Sequence, residues 1–111
     1  DGQSPLTSAG SNYGLHPAPA DAVKPAGEWN HARILVVGQE VSQWLNGVHM
    51  VTYELGSDDW QARVAASKFA QWPAYGTLES GHIGLQDHGD PVAFRNIKIR
   101  IPDGSAHTGE N

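Results

Sequence analysis

At 111 residues the chain has the length of one domain, and its 13 glycines and 7 prolines predict many turns and short strands rather than helices. The formal net charge of −5 argues against a nucleic-acid-binding surface, which needs clustered lysine and arginine, and no apolar run approaches the length that crosses a bilayer. The absence of cysteine excludes disulfides and thiolate-bound zinc. We therefore expect neither a nucleic-acid nor a membrane partner.

The first predicted segment, residues 1–28, is rich in Gly, Pro, Ser and Ala. Proline has no backbone N–H, so residues 14–20 (GLHPAPA) cannot donate a regular ladder of hydrogen bonds. We expect an extended, loop-like arm with one short strand near residues 11–15. Such an arm becomes ordered only by lying against another part of the protein.

A meander of strands is predicted after the arm. In residues 33–37 (RILVV) the four residues after Arg33 are apolar and largely β-branched, and the segment ends at Gly38, which suits a tight turn. Asn46-Gly47 favours a two-residue hairpin turn that places Trp44 opposite His49. Continuing that register places Gln43 opposite Met50. One hairpin face then carries Val41, Gln43, Leu45, Val48, Met50 and Thr52, and the other carries Ser42, Trp44, His49, Val51 and Tyr53.

One short surface helix is predicted at about residues 58–69, where Ser57 caps its start and Trp72-Pro73 ends it. Residues 81–87 and 92–101 alternate with period two and predict two further strands. The fold class is therefore all-β: an antiparallel β-sandwich or jelly-roll segment of about five strands over residues 29–102, followed by a flexible tail over residues 103–111.

Five stretches of the chain stand out together: residues 6–13 (LTSAGSNY), 27–34 (GEWNHARI), 43–48 (QWLNGV), 81–89 (GHIGLQDHG) and 94–99 (FRNIKI). In this order and spacing they resemble the 3-keto-disaccharide hydrolase domain family, formerly a domain of unknown function. The resemblance implies a concanavalin-like jelly roll, of which this chain corresponds to about the C-terminal half. The upstream strands usual in the family, including a Tyr-Glu-x-Gln-type strand followed by Asp, are missing from this sequence.

The extent of the resemblance leads to three alternatives, which the sequence leaves open: a fragment, one half of a two-chain protein, or a self-associating unit. The chain begins with Asp rather than Met, as a processed, trimmed or partial polypeptide does. A partial sandwich has open strand edges, so we expect another protein chain or a second copy to complete it. The resemblance also leads us to expect a secreted or periplasmic bacterial protein.

The activity that the resemblance implies is cleavage of glycosides already oxidised to a ketone at C3. The ketone acidifies the C2 hydrogen, so that a base can remove it and expel the aglycone, and water then adds to the enone. This chemistry needs a base, a group that polarises the ketone oxygen and an acid for the leaving group. It does not need the paired carboxylates of ordinary glycosidases.

The stretch from Gln86 to Asp90 holds the candidate catalytic residues. Histidine is the usual general base near neutral pH, so His88, together with Asp87, is the predicted catalytic group. Asp87 and Asp90, with backbone carbonyls, could hold a hard divalent cation such as Ca²⁺ as a cofactor. The alternative is a polar turn, because Asp, Gly and Pro are all turn formers.

Four residues are candidate contacts for the carbohydrate partner. Trp44 offers a flat aromatic face to a pyranose, and His49 lies opposite it across the hairpin, although a simple cross-strand packing pair is the favoured explanation of the two residues. Gln86 is on the wet face of its predicted strand, and Arg95 either pairs with an acid such as Asp87 or faces a groove. The alternative function is a non-catalytic carbohydrate-binding or assembly module with the same fold.

Overall fold

The computed structural model of the protein describes residues 4–19 and 21–101, so the predicted tail at residues 103–111 lies outside the described residues. Two units are distinguished, the first ending at Gly81 and the second beginning at His82. The first unit contains a 3₁₀ turn (Pro5–Thr7), the strands β1 (Ala32–Val37), β2 (Glu40–Leu45) and β3 (Val48–Glu54), the helix α1 (Asp58–Ala65) and a second 3₁₀ turn (Lys68–Gln71).

The three strands form one antiparallel sheet in the order β1-β2-β3. Asn46 and Gly47 join β2 to β3 with backbone φ angles of 52° and 82°, the left-handed pair that a type I′ turn requires. Trp44 lies opposite His49, as the sequence predicts. The short-range hairpin pattern therefore correctly predicts the turn and the first cross-strand pairs.

The predicted register fails one residue further along the hairpin. Gln43 pairs with Val51, not with Met50, because a β-bulge inserts Met50 between the two pairs. The bulge lets Met50 and Val51, which are neighbours in the chain, both be buried, with exposed fractions of 3% and 6%. From this point Val51 and Tyr53 share a face with Val41, and Thr52 shares the other face with Ser42, which reverses the prediction for these residues.

The N-terminal arm packs against the sheet, as expected of a segment with no ladder of its own. Leu15, His16 and Ala18 are buried, and Ala18 forms a small core with Leu45 and Met50. A Cβ atom built at Gly10 would lie 2.5 Å from Met50 Cε and 2.9 Å from Met50 Cγ, so a larger residue there would displace the Met50 side chain. The strand predicted near residues 11–15 is wrong: the arm makes one isolated bridge, between residues 12 and 16.

The predicted helix is shorter than expected and is followed by a separate 3₁₀ turn. Ser57 caps α1 by accepting a hydrogen bond from the Trp60 backbone N–H at 3.1 Å, and Trp60 is the buried residue of the helix. Ser67 then accepts from the backbone N–H of Phe69 at 3.0 Å and begins the 3₁₀ turn. A second capping serine inside the predicted helix therefore divides it.

The two C-terminal strands that the sequence predicts are not formed: residues 81–101 contain no strand. Their apolar residues are exposed, including Ile83, Ile97 and Ile99 at 79%, 67% and 78%. Period-two alternation predicts which face of a strand is buried. A strand also needs a hydrogen-bonded neighbouring strand, and alternation within one segment does not predict that neighbour. The structure thus has three strands among the described residues, where about five were expected. None of its described helices is long and apolar enough to span a membrane.

Candidate functional site

One row of side chains crosses all three strands on the sheet face opposite the buried one. Arg33 of β1 pairs with Trp44 of β2, and Trp44 pairs with His49 of β3. The Arg33 guanidinium carbon lies 4.6 Å from the centroid of the Trp44 ring, and the His49 ring meets Trp44 edge-on with 5.6 Å between centroids. A cation, an aromatic ring and an imidazole are therefore held side by side; we call these three residues the Arg33–Trp44–His49 row.

Hydroxyl groups on the same face fix the imidazole at the end of the row. His49 Nε2 lies 2.6 Å from Thr52 Oγ1, and Thr52 Oγ1 lies 2.8 Å from Ser42 Oγ. The register adds two carboxylates at the far end of this face, because Glu40 and Glu54 are partners one pair beyond Val41 and Tyr53. The face therefore carries the cation and the aromatic ring at one end, hydroxyl groups in the middle and two carboxylates at the other end.

A second polar group surrounds His16, which is 6% exposed. Its Nδ1 lies 3.0 Å from Asn12 Nδ2, and its Nε2 lies 3.6 Å from Asp59 Oδ2. Burial lowers the pKa of His16, and the nearby Arg63 lowers it further, against an opposing effect of Asp59. The hydrogen bond that Arg63 Nε donates to Asp59 at 2.8 Å lowers the pKa of that exposed carboxyl.

A cleft of about 490 Å³ opens beside α1 in the first unit. Trp60 and Tyr75 contribute nearly parallel rings, 6.1 Å apart and inclined by 7°. Trp72, which is 53% exposed, lines the cleft as well. Burial raises the pKa of Tyr75, so its phenol is neutral at physiological pH. The polar members of the lining are Gln39, Gln61, Thr77 and Glu79, together with the Tyr75 hydroxyl.

The remaining predicted site residues lie in the second unit. Gln86, Asp87, His88, Asp90 and Arg95 are all exposed, and Gly89 between them has a φ of 101°, as a turn requires. No group of three or more His, Cys, Asp or Glu side chains able to hold a metal occurs among residues 4–19 and 21–101. The calcium role of Asp87 and Asp90, which rests on two carboxylates and backbone oxygens, stays a prediction, as do the catalytic roles of Asp87 and His88.

Sequence reasoning brings together only Trp44 and His49 of the predicted site residues. It misses Arg33, although the tight turn at Gly38 would have paired Arg33 with Trp44 if β1 had been continued through it. It also misses the cleft, whose lining comes from residues 39–79 in several short segments. No local pattern predicts that these segments enclose a cavity.

The motifs and the antiparallel meander agree with one family. The family model of the 3-keto-alpha-glucoside-1,2-lyase-like domain matches residues 1–100 of the chain. The chain belongs to this family. The resemblance that the five motifs indicate is thereby confirmed.

Two proteins are similar to this 3-keto-alpha-glucoside-1,2-lyase-like domain in sequence or structure. A 3-keto-disaccharide hydrolase of Bacteroides thetaiotaomicron is 39% identical over 103 residues, which cover 84% of this chain and 36% of that protein. A candidate glycosyl hydrolase of Parabacteroides distasonis ATCC 8503, known from a crystal structure, gives a TM-score of 0.63 at 32% identity over 70% of this chain and 35% of that one.

The comparisons confirm the predicted fold class, an antiparallel β fold that forms part of a jelly roll. They also support a glycoside-processing family. The chain spans about a third of the length of the two relatives.

Proposed function

We propose that this chain contributes a sugar-binding surface to a domain that cleaves 3-keto-disaccharides by elimination and hydration. The observation that carries the proposal is the Arg33–Trp44–His49 row, in which a permanent cation and an imidazole flank an indole ring. Adjacent strands are roughly 4.8 Å apart, so Arg33 and His49 are separated by about 10 Å. This distance is short enough for the hydroxyl groups of one pyranose to contact both residues. The name of the Bacteroides relative supports the substrate class.

The row fits the requirements of the elimination. Arg33 donates hydrogen bonds and carries a charge that would polarise the C3 ketone oxygen as negative charge develops there. Trp44 would contact the C–H edge of the ring, and His49, held by Thr52, would position or accept a proton. His88 and Asp87 remain predicted catalytic groups. Experiment must decide whether His49 or His88 is the base.

The proposed cleavage has two stages, elimination and hydration. A base removes the C2 proton, the C1–O bond breaks, and the leaving oxygen takes a proton from an acid. Water then adds to the C1=C2 double bond of the enone, with its oxygen at C1 and its proton at C2. No oxidant is consumed in these steps, because the ketone is already present in the substrate.

A second function, carbohydrate binding without turnover, is favoured by one observation. His49 Nε2 lies 2.6 Å from Thr52 Oγ1, so one of the two ring nitrogens is already engaged. Arg33 also covers part of the indole surface. A ring nitrogen that already holds a hydrogen bond is less available to move a proton, so these contacts favour a surface that holds sugar hydroxyls.

Two measurements separate these functions. Calorimetric titration with a 3-keto-disaccharide and with its unoxidised parent reports binding, and deuterium uptake from solvent at C2 reports proton removal. We expect Arg33→Gln to weaken binding of the keto sugar by about tenfold, as loss of a charged hydrogen bond does, and to weaken binding of the parent less. Turnover predicts deuterium uptake, whereas a binding module predicts binding without uptake.

The matched control is Lys24→Gln, which removes another exposed positive charge while leaving the row intact. It is expected to bind the keto sugar like the unmodified protein. Trp44→Ala is expected to weaken the binding of the keto sugar and of its unoxidised parent equally, because stacking on the indole does not distinguish a ketone from a hydroxyl group. Unchanged binding in both Arg33→Gln and Trp44→Ala would refute the proposed surface.

A further inference from the structure

The cleft beside α1 differs in chemistry from the Arg33–Trp44–His49 row. Its walls are mainly aromatic and aliphatic, with Trp60, Trp72 and Tyr75 supplying the rings and Leu55 and Val64 the aliphatic surface. Trp44 and its neighbours in the row do not line it. Its volume of about 490 Å³ falls within the roughly 300–1,000 Å³ of small-molecule sites. The cleft and the row are therefore separate candidate binding surfaces.

The shape of the cleft follows from stacked rings. Tyr75 lies parallel to Phe69 on one side, with 4.3 Å between centroids, and parallel to Trp60 on the other, at 6.1 Å. A Cβ atom at Gly76 would lie 2.5 Å from Trp60 Cζ2, so the backbone after Tyr75 runs directly against the indole. These contacts hold Trp60 and Tyr75 rigidly, whereas Trp72 is half exposed and presents its ring to the cleft.

The polar groups of the cleft restrict the charge of a ligand. Among the described residues that line it, Glu79 is the one charged side chain, and Gln39 and Gln61 add amide donors and acceptors. A negatively charged ligand would be repelled by Glu79 and would find no cation in the lining. Glu79 is exposed, so water screens its charge and the carboxylate does not require a cationic ligand. The aromatic walls and the amides then match a flat, neutral ring with one or two hydroxyl groups.

We propose that this cleft binds a planar, neutral aromatic group of the phenol or coumarin type. The binding of this group does not depend on the proposed function, because the cleft lies against Trp60, which stacks on Tyr53 of the sheet face opposite the row. The half-exposed Trp72 indole provides most of the contact area, and the stacked rings of Trp60 and Tyr75 form a rigid wall beside it. Glu79 or the two glutamines accept the hydroxyl hydrogen.

The test uses free 4-methylumbelliferone, a fluorescent hydroxycoumarin, with the full 111-residue chain. Its fluorescence anisotropy is measured against protein concentration at a pH where its hydroxyl is neutral. We expect saturable binding at one site per chain. Ala65→Phe, which places a ring in the cleft from the last residue of α1, is expected to weaken binding at least about tenfold.

The matched control is Ala62→Phe, an exposed position of the same helix that does not line the cleft. It should bind like the unmodified protein, and the helical circular dichroism of both variants should be unchanged. Trp72→Ala is expected to weaken binding as well, and Trp44→Ala is not. Non-saturable binding, or equal weakening by both phenylalanine variants, would overturn the proposal.

The outcome is independent of the keto-sugar experiment. If the unmodified chain does not bind the coumarin but binds the keto sugar in an Arg33-dependent way, the proposal for the cleft is refuted and the proposed function stands. If the chain binds the coumarin, Ala65→Phe weakens that binding and no sugar binds, the proposed function is refuted. The cleft then stands as a site for an aromatic ligand.

Discussion

The imidazole of His16 stacks on the phenol ring of Tyr53, with 4.8 Å between ring centroids and 16° between ring planes. This contact joins the N-terminal arm to β3. The helix is tied to the same point, because Arg63 Nη1 donates a hydrogen bond to the Leu15 carbonyl oxygen at 2.9 Å and its Nε binds Asp59. Arm, sheet and helix thus meet at one buried, titratable ring.

The first prediction is that His16 makes the stability of the fold depend on pH. Burial lowers the pKa of His16 in the folded chain, so the unfolded chain binds more protons below the ordinary value near 6.5. The stabilisation is complete above that value and declines as the pH falls through the lowered pKa. Urea unfolding followed by tryptophan fluorescence should show lower stability at pH 5.5 than at pH 7.5.

The control for this prediction is His16→Gln, which cannot titrate in this range but can still accept a hydrogen bond from Asn12. Its free energy of unfolding is expected to change less between the two pH values than that of the unmodified protein. An equal change in both proteins would show that other groups cause the pH dependence.

The second prediction concerns Asn46, whose side chain links the hairpin turn to the arm. Its Oδ1 accepts from the His31 backbone N–H at 2.8 Å, and its Nδ2 donates to the Ala22 carbonyl at 2.7 Å and to Asn30 Oδ1 at 2.8 Å. Asn46→Ala loses these bonds and puts alanine at a φ of 52°. We expect the free energy of unfolding to fall by about 2–4 kcal/mol, measured in urea.

Asn46→Gly separates the two causes. Glycine adopts the positive φ without strain but makes none of the side-chain bonds, so its destabilisation should be about 1 kcal/mol smaller than that of alanine. Equal stability of Asn46→Gly and the unmodified protein would mean that the three hydrogen bonds contribute nothing net.

The third prediction is that Gly76 is required by a close contact rather than by its φ alone. Gly76 and Gly56 have similar backbone φ angles of 72° and 78°. A Cβ atom at Gly76 would lie 2.5 Å from Trp60 Cζ2, whereas a Cβ atom at Gly56 would have no atom of the described residues within 4 Å. Both alanine variants carry backbone strain of about 1 kcal/mol or more. Gly76→Ala is expected to cost a further ~1–3 kcal/mol from overpacking, measured as the difference between their unfolding free energies.

The hairpin shows which part of this fold is predictable from sequence. Asn46-Gly47 determines a turn whose geometry depends on two residues, so the Trp44–His49 pair follows directly. The bulge at Met50 is set by packing against the arm, at Ala18 and Gly10, which are distant in sequence. A local pattern contains no information on that contact, and the predicted faces beyond the bulge are reversed for this reason.

The site divides in the same way. The pairing of Trp44 with His49 is a local consequence of the turn, but the cleft needs α1, the second 3₁₀ turn and residues 72–79 to be placed together. The predicted strands at residues 81–87 and 92–101 fail because alternation alone does not supply a pairing partner. The roles of Asp87 and His88 depend on such long-range placement, and they stay predictions.

The last prediction separates a catalytic role for His88 from a turn role. If His88 removes or delivers a proton, His88→Ala should abolish aglycone release from a 3-keto-disaccharide while leaving the melting temperature unchanged, because the side chain is exposed. His82→Ala removes another exposed imidazole from the same segment and should retain activity. Gly89→Ala disturbs the turn at its φ of 101° without removing a titratable group. Full activity in His88→Ala together with loss in Gly89→Ala would assign the segment a structural role, because only the geometry of the turn would then be needed.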